Sequence, residues 1–117
     1  MCTVAIVCNG CEPQNLFPTF IMGSAAAAMG DEVVVFFTPS AAPALVEGRL
    51  EAMQAKGMPA MAELVADFQD LEGRILACDL CLEAKDLRVD DLRAGVELVG
   101  IVSFLAGTKD AKRTLCF

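Results

Sequence analysis

An uninterrupted apolar run, Val33-Val34-Val35-Phe36-Phe37 followed by Thr38, constrains the fold more than any other feature of this chain. Its β-branched and aromatic side chains favour an extended strand. Because the run is apolar throughout, both faces of that strand are expected to be buried, as in the centre of a parallel sheet. We therefore expect the rest of the fold to be built around this strand.

Four further segments have the length and composition of strands. They lie at residues 3–8, 74–78, 96–99 and 114–117, and segments compatible with helices separate them. Strands that alternate with helices imply crossover connections and a sheet covered on both sides. We expect an α/β fold, namely a three-layer α/β/α sandwich with a mostly parallel five-stranded sheet, in a single domain over residues 1–117.

Capping residues indicate where the helices begin. Asn15 is expected to cap a helix over residues 16–29, and Ser40 is expected to cap a helix over residues 42–54. The other predicted helices span residues 60–71, 80–85 and 100–111.

Charge and hydropathy narrow the classes of function. The net charge is −7, the pI is near 4.4, and the nine basic residues are scattered along the chain. Electrostatic capture of nucleic acid is therefore not expected. Hydrophobic residues make up 56% of the chain, which is high for a domain of this size and suggests apolar surface buried between subunits. We expect a homo-oligomer.

No apolar stretch reaches the ~20 residues that cross a bilayer as a helix. The longest uncharged stretches, residues 15–30 and 33–46, are interrupted by prolines and glycines. No basic segment precedes the apolar N-terminal run, which argues against a secretory signal peptide. We expect no membrane partner and a cytoplasmic location.

Six cysteines and the absence of histidine direct attention to thiol chemistry. In a cytoplasmic chain with a full-sized core, cysteines serve metal or sulfur chemistry more often than a disulfide framework. Without an imidazole a Cys–His dyad is excluded, and a zinc site would consist mainly of thiolates.

Cys78 ends the predicted strand 74–78, and Cys81 follows three residues later at the start of a predicted helix. Open α/β sheets place their chemistry at the carboxyl ends of strands, and a helix N-terminus stabilises a thiolate, although the nearby Asp79 opposes ionisation. We expect Cys78 to be catalytic and reachable from solvent, with Cys81 as a resolving thiol. The competing interpretation is a pair of structural residues.

Cys8 and Cys11 repeat this arrangement at the end of strand 3–8. They are candidate metal ligands, because together with Cys78 and Cys81 they would form a Cys₄ zinc or iron–sulfur site if both strand ends converged. They could instead receive sulfur or electrons from Cys78, or be structural.

Four segments, in the same order along the chain, are similar to those of a known family. They are Val33 to Thr38, Leu76 to Leu82, Val89 to Gly100 and Leu115 to Phe117. Together they resemble the DsrE/DsrF-like sulfur-relay family over nearly the whole chain. The Ala-Cys strand end followed by Asp-Leu-x-x-Gly-Val is the most specific part of this resemblance.

The resemblance implies a small parallel α/β domain that assembles into trimers or hexamers. In the family, a cysteine at the end of this strand can carry sulfur as a persulfide and pass it to a partner protein, and Cys78 matches that position. The closest branch of the family has Met-Ser-Met where this chain has Leu80, Cys81 and Leu82. The second thiol is therefore a departure from that branch.

The leading hypothesis is a cytoplasmic sulfur-relay protein in which Cys78 accepts sulfane sulfur from a donor protein and delivers it to an acceptor protein, with no resident cofactor. In this hypothesis Cys81 either resolves or shields the persulfide intermediate. The alternative is a binding module in which the paired C-x-x-C units hold zinc or an iron–sulfur cluster without transferring sulfur. A third possibility is an oligomeric scaffold whose thiols are incidental.

Overall fold

The computed structural model describes residues 2–117, and at its centre is a five-stranded sheet in which all neighbouring strands are parallel. In chain order the strands are β1 (Thr3–Cys8), β2 (Glu32–Phe37), β3 (Arg74–Cys78), β4 (Val96–Val99) and β5 (Arg113–Cys116). The spatial order β4-β3-β2-β1-β5 places the uninterrupted apolar run of β2 in the middle. The predicted parallel sheet is confirmed.

Helices connect these strands. They are α1 (Pro13–Ala28), α2 (Met61–Asp70), α3 (Cys81–Ala84) and α4 (Ile101–Gly107), with short 3-10 helices at Ala42–Leu45 and Val89–Asp91. Across residues 2–117, no helix is long and apolar enough to cross a membrane.

Side chains of the sheet alternate between two cores. The larger core contains Val35 and Phe37 of β2 together with the buried faces of α1 and α2. The smaller core contains Phe36 of β2 and Phe104, the buried residue of α4. Helices therefore cover both faces of the sheet, which confirms the three-layer α/β/α architecture.

Helix α1 begins earlier than the sequence pattern predicts. Glu12 occupies the N-cap instead of Asn15, and the Asn15 side chain accepts a hydrogen bond of 3.2 Å from the Glu12 backbone N–H in a reciprocal capping box. Pro13 fits the first helical position because that residue needs no intrahelical N–H bond. The helix packs on α2, where the Phe20 and Phe68 rings meet edge to face with centroids 5.7 Å apart.

The predicted helix over residues 42–54 is wrong beyond its first turn. After Ala42–Leu45, Val46 is extended and forms an antiparallel bridge with Leu92. Gly48 has a φ of +85°, in the left-handed region that a helix interior excludes. A backbone pairing with a distant segment therefore overrides the local helical pattern.

Candidate functional site

All six cysteines are free thiols, and Cys78 is the last residue of β3. Its side chain enters the smaller core, which it shares with Phe36 and Phe104, and its exposed fraction is 0%. The expectation that this sulfur is reachable from solvent is therefore wrong for the single chain. The sequence could not show this, because Phe104, which belongs to the same core, lies in a helix that is distant along the chain.

Cys81 is the first residue of α3 and is also fully buried, but it belongs to the larger core. Burial raises the pKa of the Cys81 thiol above its ordinary value of 9.0, and the neighbouring Cys78 and Asp79 raise it further. The thiol is therefore protonated at neutral pH. Although they are three residues apart in the chain, Cys78 and Cys81 direct their side chains into different cores.

Helix α3 is a single turn. Its dipole is correspondingly small, so it supplies little of the thiolate stabilisation that we expected from a helix N-terminus.

Cys8 ends β1 and is fully buried in the larger core. Its thiol donates to the Gly10 carbonyl oxygen at 3.5 Å, and the Asn15 carbonyl oxygen lies 3.9 Å away. Burial raises the pKa of the Cys8 thiol, and a hydrogen bond with the Thr19 side chain lowers it only in part. Because reactivity requires a thiolate, this environment is that of an unreactive core thiol.

Cys11 is the most open of the four strand-end thiols, and it is half-buried. It donates to the Ser40 carbonyl oxygen at 3.0 Å and lies 3.4 Å from the Ala41 carbonyl oxygen. The same side chain lines a cavity of about 370 Å³ together with Arg49 and Met53. Sequence reasoning missed Arg49, because no local motif connects it to Cys11.

The two C-x-x-C units do not meet. The register places Cys8 level with Phe37 and Ala77, so Cys78 lies one residue further along β3 and faces the other core. Strand β2 also lies between β1 and β3, so the backbones of β1 and β3 are about 9.5 Å apart. Two sulfurs that bind one zinc ion each lie ~2.3 Å from it, which is a much closer arrangement. Among residues 2–117, no three Cys, Asp or Glu side chains gather into a group that could hold a metal ion. This geometry lends no support to a Cys₄ site within one chain.

The fold and the site define a small all-parallel α/β domain with free thiols at the carboxyl ends of its strands. The model of the DsrE/DsrF-like family matches residues 3–117. The chain belongs to this family, which is associated with sulfur relay. The family resemblance found in the sequence is thereby confirmed.

Two solved structures have the same fold. The crystal structure of the YchN protein from E. coli has a TM-score of 0.80 and 19% sequence identity, and the match covers 100% of both chains. The protein of unknown function MTH1491 from Methanobacterium thermoautotrophicum has a TM-score of 0.70 and 15% identity, over 98% of this chain and 99% of that chain. At these identities the likeness shows the fold alone.

A curated relative is larger than this chain. The uncharacterized protein MJ0760 of Methanocaldococcus jannaschii is 24% identical over 92 residues, which cover 79% of this chain and 34% of the relative. The chain thus spans about a third of the length of that protein.

Proposed function

We propose that this protein carries sulfane sulfur as a persulfide on Cys78. The proposal is supported by membership of a family associated with sulfur relay. The observation that carries it is the position of Cys78 at the carboxyl end of β3, with the second thiol of Cys81 in the turn that follows. In open parallel sheets this edge is where ligands and reacting groups are bound.

The proposed chemistry is the exchange of a neutral sulfur atom between thiols. The Cys78 thiolate attacks the outer sulfur of a donor persulfide, a new S–S bond forms on Cys78, and the donor S–S bond breaks as the donor leaves as a thiolate and takes up a proton. An acceptor thiolate then attacks the same outer sulfur, and Cys78 leaves. Each transfer forms one S–S bond and breaks one, so no external oxidant or reductant is consumed.

In this proposal Cys81 does not resolve the sulfur carried on Cys78. Resolution would require a Cys81 thiolate to attack the Cys78 sulfur, form a disulfide and release hydrosulfide. Burial raises the pKa of the Cys81 thiol, which disfavours that thiolate at neutral pH. The side chains of Cys78 and Cys81 also enter different cores, which disfavours a direct attack of one sulfur on the other.

Transfer of sulfur to Cys78 requires the smaller core to open, because Cys78 is inaccessible to solvent in the single chain. Helix α4 has seven residues and reaches that core through Phe104. Such a short helix with one buried anchor is a segment that opens locally at lower free energy than the sheet.

The proposal includes a homo-oligomer, as a trimer or a hexamer. Exposed large apolar side chains such as Met29, Val102 and Leu105 support it, since apolar surface of this kind is often covered by another subunit. Light scattering during size-exclusion chromatography tests this, and a particle of 12.4 kDa, the mass of one chain, would contradict it.

Sulfur loading is tested by exposing the reduced protein to inorganic polysulfide without air, followed by intact mass measurement and peptide mapping. The starting protein is a Cys2→Ser/Cys116→Ser variant, because these two thiols are exposed and sulfur bound to them would obscure the result at Cys78. The expected gain is ~32 Da on the Cys78 peptide. A sulfinic acid adds nearly the same mass, so a second sample is treated with dithiothreitol, which removes persulfide sulfur and leaves the sulfinic acid.

When Cys78→Ser is added to this variant, we expect no gain in mass of the kind that dithiothreitol removes. Adding Cys8→Ser is the matched control, because Cys8 is also a fully buried thiol at a strand end, and this variant is expected to keep the gain. If the variant with Cys78→Ser loads as much sulfur as the variant with Cys8→Ser, the role assigned to Cys78 is wrong.

A further inference from the structure

The chain between β2 and α2 is only partly anchored to the fold. We call residues 42–60 the cover segment, which follows its short 3-10 helix with turns and irregular structure. Few of its side chains are fully buried, and all of these lie in the larger core. They are Ala42, Ala44, Leu45 and Leu50.

Cavities lie along the cover segment. Their volumes are about 370, 350, 310 and 410 Å³, and residues of the segment form part of the wall of each. These cavities are clefts that open to solvent, so solvent borders the segment along much of its length. Segments with few buried apolar contacts open at lower free energy than the core.

A set of contacts that we call the latch fastens the cover segment to the loop before β4. The Arg93 backbone N–H donates to the Leu45 carbonyl oxygen at 2.8 Å, and the Glu47 N–H donates to the Asp91 carbonyl oxygen at 3.0 Å. The Arg93 guanidinium adds two parallel hydrogen bonds to the Glu51 carboxylate, of 3.0 and 2.7 Å. Bidentate pairs of this kind are among the stronger polar contacts in proteins.

The closed latch includes an unfavourable feature. The Arg93 side chain is only 12% exposed, and its Nε atom is buried without a hydrogen-bond partner among the residues that the structure describes. Burying a donor without a partner is unfavourable, so opening would return Nε to water while it breaks the two bonds to Glu51. The closed and open states are therefore closer in free energy than the bidentate pair alone would suggest.

Cys81 lies in the core that the cover segment helps to close. It is fully buried in the larger core, which also contains Leu45 and Leu50 of the segment. Cys78 lies in the smaller core on the opposite face of the sheet, to which no residue of the cover segment contributes. Opening of the segment should thus affect the thiols of the larger core, Cys81 and Cys8, and leave Cys78 covered.

We propose that the cover segment is a gate over Cys81 and that the pair of Arg93 and Glu51 sets how often this gate opens. Residues 46–60 lift while the sheet, α1 and α2 stay folded. The inference goes beyond the proposed function, because it concerns the access of solvent to Cys81 and not the sulfur carried on Cys78. The opening itself is a property of the fold and is measurable without sulfur.

The gate is tested by pulses of N-ethylmaleimide on the reduced protein, with the alkylation of each cysteine followed by peptide mass spectrometry. Two variants weaken the latch: Glu51→Gln removes the charge of a half-exposed partner, and Arg93→Lys keeps the charge but loses the bidentate geometry. We expect each variant to raise the alkylation rate of Cys81 by about fivefold to tenfold, the change in an opening equilibrium expected from the loss of roughly one charge-assisted contact. The rate of Cys78 should stay unchanged.

The matched control is Glu97→Gln. Glu97 also makes a bidentate pair, with both hydrogen bonds to Arg74 at 3.0 Å, but this pair joins β4 to β3 outside the cover segment. The gate is refuted if Glu97→Gln raises the alkylation rate of Cys81 as much as the latch variants do. It is also refuted if the latch variants raise the alkylation rates of Cys81 and Cys78 together, which indicates general unfolding, or if they change neither rate.

The alkylation experiment contains no sulfur donor, so its result is independent of the persulfide experiment. A protein that fails to load sulfur but shows a latch-dependent rate at Cys81 would refute the proposed function and support the gate. The reverse combination would support the function and refute the gate.

Discussion

Cys8 and Cys78 end two parallel strands of one sheet, yet their side chains enter opposite cores. Cys8 is level with Ala77 through the register of β1, β2 and β3, so Cys78 is offset by one residue. A shift of one residue along a strand turns a side chain to the other face of the sheet. Two thiols at the same edge are consequently covered by different elements and should be exposed by different motions.

Replacing Phe104 tests what covers Cys78. The Phe104 ring stacks on that of Phe36 with centroids 4.4 Å apart and is the buried residue of α4. We expect Phe104→Ala to lower the free energy of unfolding by about 3 kcal/mol, the lower end of the range for a buried aromatic side chain. Urea denaturation measures this loss. Alkylation of Cys78 should accelerate more than that of Cys81, because only Cys78 shares a core with Phe104.

Ser103→Ala is the control for this variant, because Ser103 is the residue before Phe104 in the same helix and is exposed. Its effect on the free energy of unfolding should remain within about 0.5 kcal/mol. Equal acceleration of Cys78 and Cys81 in Phe104→Ala would show that α4 does not cover Cys78 separately.

The strands could be predicted from the sequence because each is a local pattern. The runs at Arg74–Cys78 and Val96–Val99 have the predicted bounds, and the middle strand is displaced by one residue. The helix predicted over residues 42–54 stops after its first turn because Val46 forms a bridge with Leu92, a contact between distant segments. No local pattern indicates such a pairing.

The candidate site was predictable in position but not in exposure. The spacing of Cys78 and Cys81 correctly places both thiols at the carboxyl end of one strand. Their burial depends on cores formed with distant segments, because Cys78 shares its core with Phe104 and Cys81 shares the larger core with Phe20. Side-chain direction also places Cys8 and Cys78 in opposite cores, and this follows from strand register, which the sequence does not specify.

Gly73 tests the packing that positions β3. It precedes the strand, and a Cβ atom added there would overlap the ring of Phe68, which is fully buried and already in contact with Phe20. We expect Gly73→Ala to lower the free energy of unfolding by about 1–3 kcal/mol, because the ring must move within a packed core. Thermal or urea unfolding measures the change.

Gly107→Ala is the matched control for Gly73→Ala. Gly107 is the last residue of α4, and an added Cβ meets no atom within 4 Å. Because alanine favours a helix over glycine, this variant should be neutral or more stable by up to about 1 kcal/mol. Similar losses of stability in both variants would indicate that contact with Phe68 is not the cause.

The buried thiols should make stability depend on alkaline pH. Burial raises the pKa of Cys8 and of Cys81 above the ordinary thiol value of 9.0. Below that pH both the folded and the unfolded chain keep these protons, and the stabilising contribution is complete. As pH rises above 9.0, the unfolded chain loses the protons first, so the free energy of unfolding falls until the folded thiols ionise as well.

Cys8→Ala should make this alkaline decline shallower, because one of the two shifted groups is gone. The measurement is the urea midpoint of reduced protein from about pH 8 to about pH 10, below the main titration of lysine. Cys116→Ala removes an exposed thiol and should leave the slope as it is in the native chain. The cavity left by Cys8→Ala lowers stability at every pH, so the slope is the informative quantity. Parallel curves for Cys8→Ala and the native chain would show that burial of Cys8 does not disfavour its thiolate.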